Sequence, residues 1–194
     1  MFYRKSLRSA LLGLTLLLSG AAPLRATSIL PPRFEALVDE ADHIFTGQVI
    51  AQRAEWRNLQ GQKSIVTLVT FGVQATHKGR AGNTVTLQFL GGTIGDVSLD
   101  VTEMPRFKTG ERALLFVEKN GTVACPVVGW QHGRFGVQKD TQGRETILKH
   151  DGHALMDVAE IGVTRMTAQP RAMSVSHDEF TGKIRARLAQ GGGK

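Results

Sequence analysis

His150-Asp151-Gly152-His153 is the most compact set of metal-ligating side chains in this sequence. Two imidazoles so spaced can share a cation across a turn, but a metal centre needs a third and a fourth ligand, and none stands beside them. A solvated loop is the competing reading, and no cofactor is expected. Cys125 is the only cysteine. A thiolate nucleophile needs a positioned base. His132 is merely close in sequence, and a cysteine next to Pro126 in an apolar stretch ordinarily serves as a small buried side chain. The acids Asp39, Glu40 and Asp42 cluster, yet nothing around them signals the burial that would raise a carboxylate pKa for acid–base work. No serine sits in a nucleophile elbow and no H-E-x-x-H zinc helix occurs. A non-enzymatic role is therefore expected.

Trp56 and Trp130 are the side chains best suited to recognition, because arginines accompany both: Arg53 and Arg57 near the first, Arg134 near the second. Indole faces flanked by guanidinium groups can stack bases or sugars. They can equally well cover the ends of a β-barrel.

The elements that would hold these residues are read from periodicity. Ala41 to Val49, Ile65 to Gly79 and Val85 to Phe89 alternate apolar and polar residues, as strands of a coiled, mostly antiparallel sheet do. Gly47 marks a bulge or close approach in the first strand, which is expected to run to about Trp56. Arg57 to Lys63 reads as a hairpin turn. Ile65, Thr67, Val69, Phe71, Val73 and Ala75 share one face of the second strand. Gly91, Gly92 and Gly95 break the third, without the spacing of a phosphate-binding loop. Val97, Leu99 and Val101 alternate again, and Met104 to Gly110 is a loop before the apolar run Ala113 to Val117, expected as a buried strand. Asn120-Gly121 is a hairpin signal, with Thr122 to Val128 as the returning strand. Arg134 to Val137 should pair with Thr146 to Lys149.

Helical spacing of Phe34, Leu37, Val38 and Ala41 after Pro31-Pro32 predicts a short leading helix. Ser176-His177-Asp178-Glu179 has the form of a capping box, and Phe180, Ile184 and Leu188 follow on one stripe. The fold class that results is all-β: a small OB-like, Greek-key barrel with a short N-terminal helix and a C-terminal amphipathic helix. Its expected divisions are a signal peptide over 1–26, the barrel over 27–157, a linker over 158–175 and the final helix over 176–190.

The first division rests on Arg4, Lys5 and Arg8 ahead of the apolar run Ala10 to Leu18, with Ala26 at a cleavage point. That run is too short to span a bilayer, so no membrane span is expected once it is removed. A periplasmic or secreted protein follows. Cleavage removes four basic residues and no acids, so the formal charge of +7 becomes +3, and nucleic acid is not the expected partner. A lone cysteine also means that the core, not disulfides, must hold the exported chain.

Thr27 to about Phe89 resembles the tissue inhibitors of metalloproteinases, whose inhibitory domain is a netrin-like OB-fold barrel. The resemblance is carried by Pro31-Pro32, by Ala41-Asp42, by the apolar strand Ile44 to Val49, and by an aromatic strand from Phe71 that ends in Lys78-Gly79. The same layout is similar to a group of exported bacterial proteins of unassigned function. In the inhibitors the free N-terminal amine and carbonyl of a leading cysteine chelate the protease zinc, and the next residue enters the specificity pocket. The matching positions are Thr27 and Ser28, and the resemblance implies a secreted metalloprotease as partner. Thr27 and Ile29 stand where the inhibitors have cysteines, so no disulfide fixes this terminus, although an α-amino group can still supply a neutral nitrogen to a metal. An oligosaccharide or other envelope ligand, held by Trp56 and Trp130, is the alternative expectation.

Overall fold

The computed structural model describes residues 30–59, 61–163 and 173–191. The proposed signal peptide, with Thr27 and Ser28, lies outside them. Among these residues eight strands and two helices follow in order: α1 (Phe34–Glu40), β1 (His43–Leu59), β2 (Gln62–Lys78), β3 (Thr84–Leu90), β4 (Gly92–Ile94), β5 (Val97–Leu99), β6 (Arg112–Val117), β7 (Arg134–Lys139), β8 (Glu145–Leu148) and α2 (His177–Gly191). Short 3₁₀ turns cover Trp130–Gly133 and Val158–Glu160. The protein is thus mostly β, with one six-stranded antiparallel sheet ordered β3-β2-β1-β6-β7-β8 and a separate β4-β5 hairpin. Among the described residues no helix is long and apolar enough to cross a membrane.

Alternation along the central strands sorts their side chains into two cores. Ile44, Leu114 and Phe116 face the first, beneath α1 and α2, while Phe45, Ala113, Leu115 and Val117 face the second. Burial on both faces is why residues 113 to 117 are apolar without a break. The first core receives Phe34, Leu37 and Val38 from α1 and Phe180 and Ile184 from α2. Phe180 anchors the second helix, with its ring 5.6 Å from that of Phe34 and 5.0 Å from that of Phe135. Ser176 caps the helix as its sequence requires: Ser176 Oγ accepts from the Glu179 amide at 3.1 Å. The second core is aromatic too, with Phe45 edge-on to Phe71 at 5.7 Å.

β1 slips register against β2 at three places, between Ile44 and Phe45, Thr46 and Gly47, and Val49 and Ala51. Such bulges bend a strand, and Gly47 allows the bend because a Cβ there would stand 3.0 Å from the Gly72 carbonyl oxygen. Beyond the bend β1 and β2 stay paired with β3 alongside as far as Val66, and only their tip, from Trp56 and Ile65 outward, continues as a two-stranded arm. Leu59 still pairs with Gln62, so the turn expected over 57–63 is mostly strand. Cross-strand pairs of good β-formers, Trp56 with Ile65 among them, extend the ladder through polar sequence.

Two other expectations change. The returning strand over 122–128 is reduced to one bridge, Val117 with Val127, flanked by two bonds, from the Glu118 amide to the Pro126 carbonyl at 2.8 Å and from the Val128 amide to the Phe116 carbonyl at 2.9 Å; Pro126 lacks an amide and cannot continue a ladder. Nor do strand ladders close the sheet into a barrel. The free edge of β3 is met instead by the Leu90 amide bonding to the Ala124 carbonyl at 2.8 Å and by the Asn120 side chain, which accepts from the Gln88 amide and donates to the Thr86 carbonyl. The segment expected as a linker begins with the Val158–Glu160 turn, and it buries Ile161 and Val175 in the first core.

Phe45 occupies the doubly buried strand where no solvent can fill a void. Phe45→Ala is expected to cost about 3–5 kcal/mol in chemical denaturation, whereas Ile50→Thr, on the same strand but 51% exposed, should change stability by less than about 0.5 kcal/mol.

Candidate ligand-binding clefts

The loop of residues 100–107, between β5 and β6, forms the shared wall of two adjoining clefts of about 400 and 480 Å³. A glycine pair makes the first. Gly91 and Gly92 have φ of +102° and +135° and turn the chain out of β3 directly into β4. A Cβ on Gly92 would overlap Thr67 Oγ1, and one on Gly91 would lie 2.8 Å from the Leu99 carbonyl oxygen. Only glycine lets the small hairpin fold back so closely. Thr67 Oγ1 then donates to the Gly91 carbonyl at 2.7 Å and fixes the turn. The cleft left between hairpin and loop has a floor of Val69, Phe89 and Phe107, with Leu99 on its wall.

Phe107 is the fixed point between the clefts. Its ring stands edge-on to Phe71 at 5.2 Å and tilted against Phe89 at 5.3 Å, and its carbonyl accepts from Gln52 Nε2 at 3.0 Å. The Arg134 guanidinium lies 5.1 Å from the same ring, a favourable cation–π position. Arg134 Nη2 is ion-paired with Glu111 Oε1. The other oxygen of Glu111 accepts from the Lys108 amide at 3.0 Å, and Arg134 Nε is left buried with no hydrogen-bond partner among the described residues. A buried donor so placed costs about 1–3 kcal/mol until something accepts from it.

The second cleft is polar. Glu103, Gln131, Arg134 and His150 line it, and Arg106, ion-paired with Asp100, stands on the wall common to both. Of the three described non-glycine residues with left-handed backbone, two, Glu103 at φ +62° and Trp130 at +59°, flank this cleft. Held strain of this kind gathers where a side chain must be aimed. The His150 ring stands perpendicular to that of His132, with centroids 4.9 Å apart. Burial lowers the His132 pKa, its neighbour His150 lowers it further, and Glu103 opposes both, so His132 favours neutral imidazole.

The residues singled out in the sequence divide among several places. His150 joins the polar cleft. His153 does not accompany it: its side chain is 80% exposed, and its Nδ1 lies 3.3 Å from Asp151. Among the described residues no three histidine, cysteine or acidic side chains are grouped to hold a metal. The backbone turn at Trp130 brings Gln131 to the second cleft, but the indole packs on the second core. Trp56 lies on the projecting arm, 43% exposed, with Lys63 Nζ 5.1 Å above its ring. The two indoles therefore form no common platform. Cys125 is buried; desolvation pushes its thiol up to about 12, and Sγ donates weakly to the Val127 carbonyl at 3.9 Å. Asp39 pairs with Arg187 of α2, and Asp42 accepts from the Lys119 amide at 2.9 Å, so both brace the structure. Glu103, Arg106, Phe107 and Gln131 were not legible as site residues. The available signal was a phenylalanine out of period in a loop that follows a glycine-rich hairpin.

Fold and clefts together define a two-core antiparallel β protein with an amphipathic double cleft at one end of its bent sheet. No family model, curated protein or solved structure matches the chain.

The first cleft depends on the glycine turn. Gly92→Ala should lower the unfolding free energy by about 1–3 kcal/mol, whereas Gly95→Ala, with open space around its Cβ at φ +57°, should cost about 1 kcal/mol; urea denaturation of both variants checks the difference.

Proposed function

We propose that the protein is an exported, non-enzymatic binding module built as an OB-like (netrin-like) barrel, which takes an oligosaccharide or related envelope ligand in the paired clefts. The observation that carries this reading is the Arg134 guanidinium set against the Phe107 ring, which joins the apolar floor of the first cleft to the polar lining of the second. Sugars present both an apolar face and directional hydroxyls, and a site of this size with few placed polar groups suits them. The barrel reading is supported by the order β3-β2-β1-β6 and by the segment 124–127, which bonds to β6 at Val117 and to β3 at Leu90. Those contacts link five chain segments in a ring. The non-enzymatic reading is supported by the buried, protonated Cys125 and the separation of His150 from His153. Export is supported by the N-terminal sequence, and the modest charge of +3 left after cleavage argues against nucleic acid as the ligand.

A secreted metalloprotease as partner is the second reading, supported by one specific contact. Pro32 is clasped between two left-handed glycines: a Cβ on Gly129 would stand 2.5 Å from Pro32 Cγ, and one on Gly162 would stand 2.7 Å from the Pro32 carbonyl oxygen. The clasp holds the chain a few residues after Thr27 and Ser28, as a disulfide does in the inhibitors that the sequence resembles.

Soluble oligosaccharides released from bacterial cell walls should bind the mature protein in calorimetry. Replacing Arg134 by Met and Gln131 by Ala together should weaken that binding at least tenfold, with Trp56→Ala unchanged; no binding, or loss only with Trp56→Ala, overturns the cleft reading. Adding one residue before Thr27 should abolish binding to metalloproteases if the terminal amine chelates zinc, and binding indifferent to the extension removes that mechanism.

A further inference from the structure

Away from the clefts, one hydroxyl joins three elements. Thr46, on β1, is 1% exposed, and its Oγ1 lies 2.9 Å from His77 Nε2 at the end of β2 and 3.0 Å from His177 Nε2 at the start of α2. The two rings stand 6.1 Å apart. A hydroxyl has one proton to give. It can donate to one ring nitrogen while accepting from the other, so Thr46 serves both rings only while at least one of them is neutral with a bare Nε2. With both rings protonated, both Nε2 atoms are donors. The hydroxyl proton then loses its acceptor, and two cations face each other across a buried oxygen.

The surroundings sharpen the conflict. His177 is the first residue of α2, where the helix dipole disfavours positive charge. Arg185, on the same helix, adds to the field at His77. The neighbouring Lys78 is committed to the carbonyls of Val38 and Asp39, at 2.7 and 3.0 Å. Negative charge gives little relief. Glu145 acts on His177 from β8, but its carboxylate is held by Arg112 through contacts of 2.5 and 3.3 Å. Asp178 lies 3.7 Å from His177 Nδ1 and is fully exposed, where water screens it. Burial first, then His177 and Arg185, hold the pKa of His77 down at about 4.

We infer that Thr46, His77 and His177 form a proton-operated latch that holds α2 on the sheet at neutral pH and lets it go in acid. A released helix restores the ordinary histidine affinity for protons, near pH 6.5. The released state therefore binds protons more tightly than the docked one, and acid favours release. Docking is fully supported above about pH 6.5 and loses that support as pH falls toward about 4. Release carries Phe180 and Ile184 away from Phe116 and Phe135, which uncovers one face of the sheet. The Arg187–Asp39 ion pair between α2 and α1 is partly exposed and opposes release only weakly.

Hydrogen exchange of the mature chain from pH 7.5 to 4, corrected for intrinsic rates, tests the latch. Amides of residues 180–191 should lose protection at least about tenfold more than those of β1 and β2. His77→Gln, which keeps a polar side chain and cannot titrate, should hold the helix protected across the range. His177→Gln is the parallel variant should His77→Gln fail to fold. Simultaneous loss of protection in α2 and the sheet, unchanged protection of α2 down to pH 4, or an equally steep loss in the glutamine variants overturns the inference.

Discussion

Burial of β6 and of the first part of β1, Ile44 to Val49, on both faces is the constraint on which the rest of the structure depends. A strand with one wet face needs one partner layer, but a strand with two apolar faces needs two. Ile44 and Phe45 are neighbours in sequence and point into different cores. The helices exist to cover one face, and the bend of the β1-β2 hairpin exists to cover the other. Phe34 and Phe180 meet over Phe116, while Phe71 and Phe107 close over Phe45. A polar residue anywhere from Ala113 to Val117 would have no solvent on either side.

The clefts are a by-product of that second closure. Bending the sheet leaves a seam at the edge of β3, and the chain fills it with irregular backbone: a glycine turn, a short hairpin, the 100–107 loop and the bridge at residues 120–124. Irregular segments cannot satisfy their polar groups as ladders do, so side chains such as Thr67, Gln52 and Asn120 bond to backbone in their place. Phe107 is pinned by these bonds and by its ring neighbours. A rigid aromatic beside a half-buried arginine gives the preorganised surface that ligand binding requires. The latch occupies the opposite face, where Thr46, at a bulge of β1, turns its hydroxyl toward the helix layer.

Periodicity makes much of this legible in the sequence. The strands from Ile65 and Val85, the doubly buried run at residues 113–117, the pairing of Arg134–Val137 with Thr146–Lys149, and the Ser176-capped helix were legible because each repeats a local rule over several residues. The bend at Gly47 was legible because glycine inside an alternating run has few other uses. The extra length of the β1-β2 arm was hidden by polar composition. The reduction of residues 122–128 to a bridge turned on Pro126. Of the clefts, the sequence offered only His150 and the neighbourhood of Trp130 and Arg134.

Local sequence by itself determined which segments extend, which coil and which side of each is apolar, since those follow from residues within one or two turns of the chain. Tertiary structure alone decided what meets what. Phe107 and Arg134 come from separate loops and strands, and Thr46, His77 and His177 are brought to one oxygen across 31 and 131 residues of chain. No periodicity encodes such a meeting, because it depends on where the bent sheet places the ends of its strands. The residues with something to do, a half-buried arginine whose Nε has no partner among the described residues and two imidazoles sharing one hydroxyl, became visible only there.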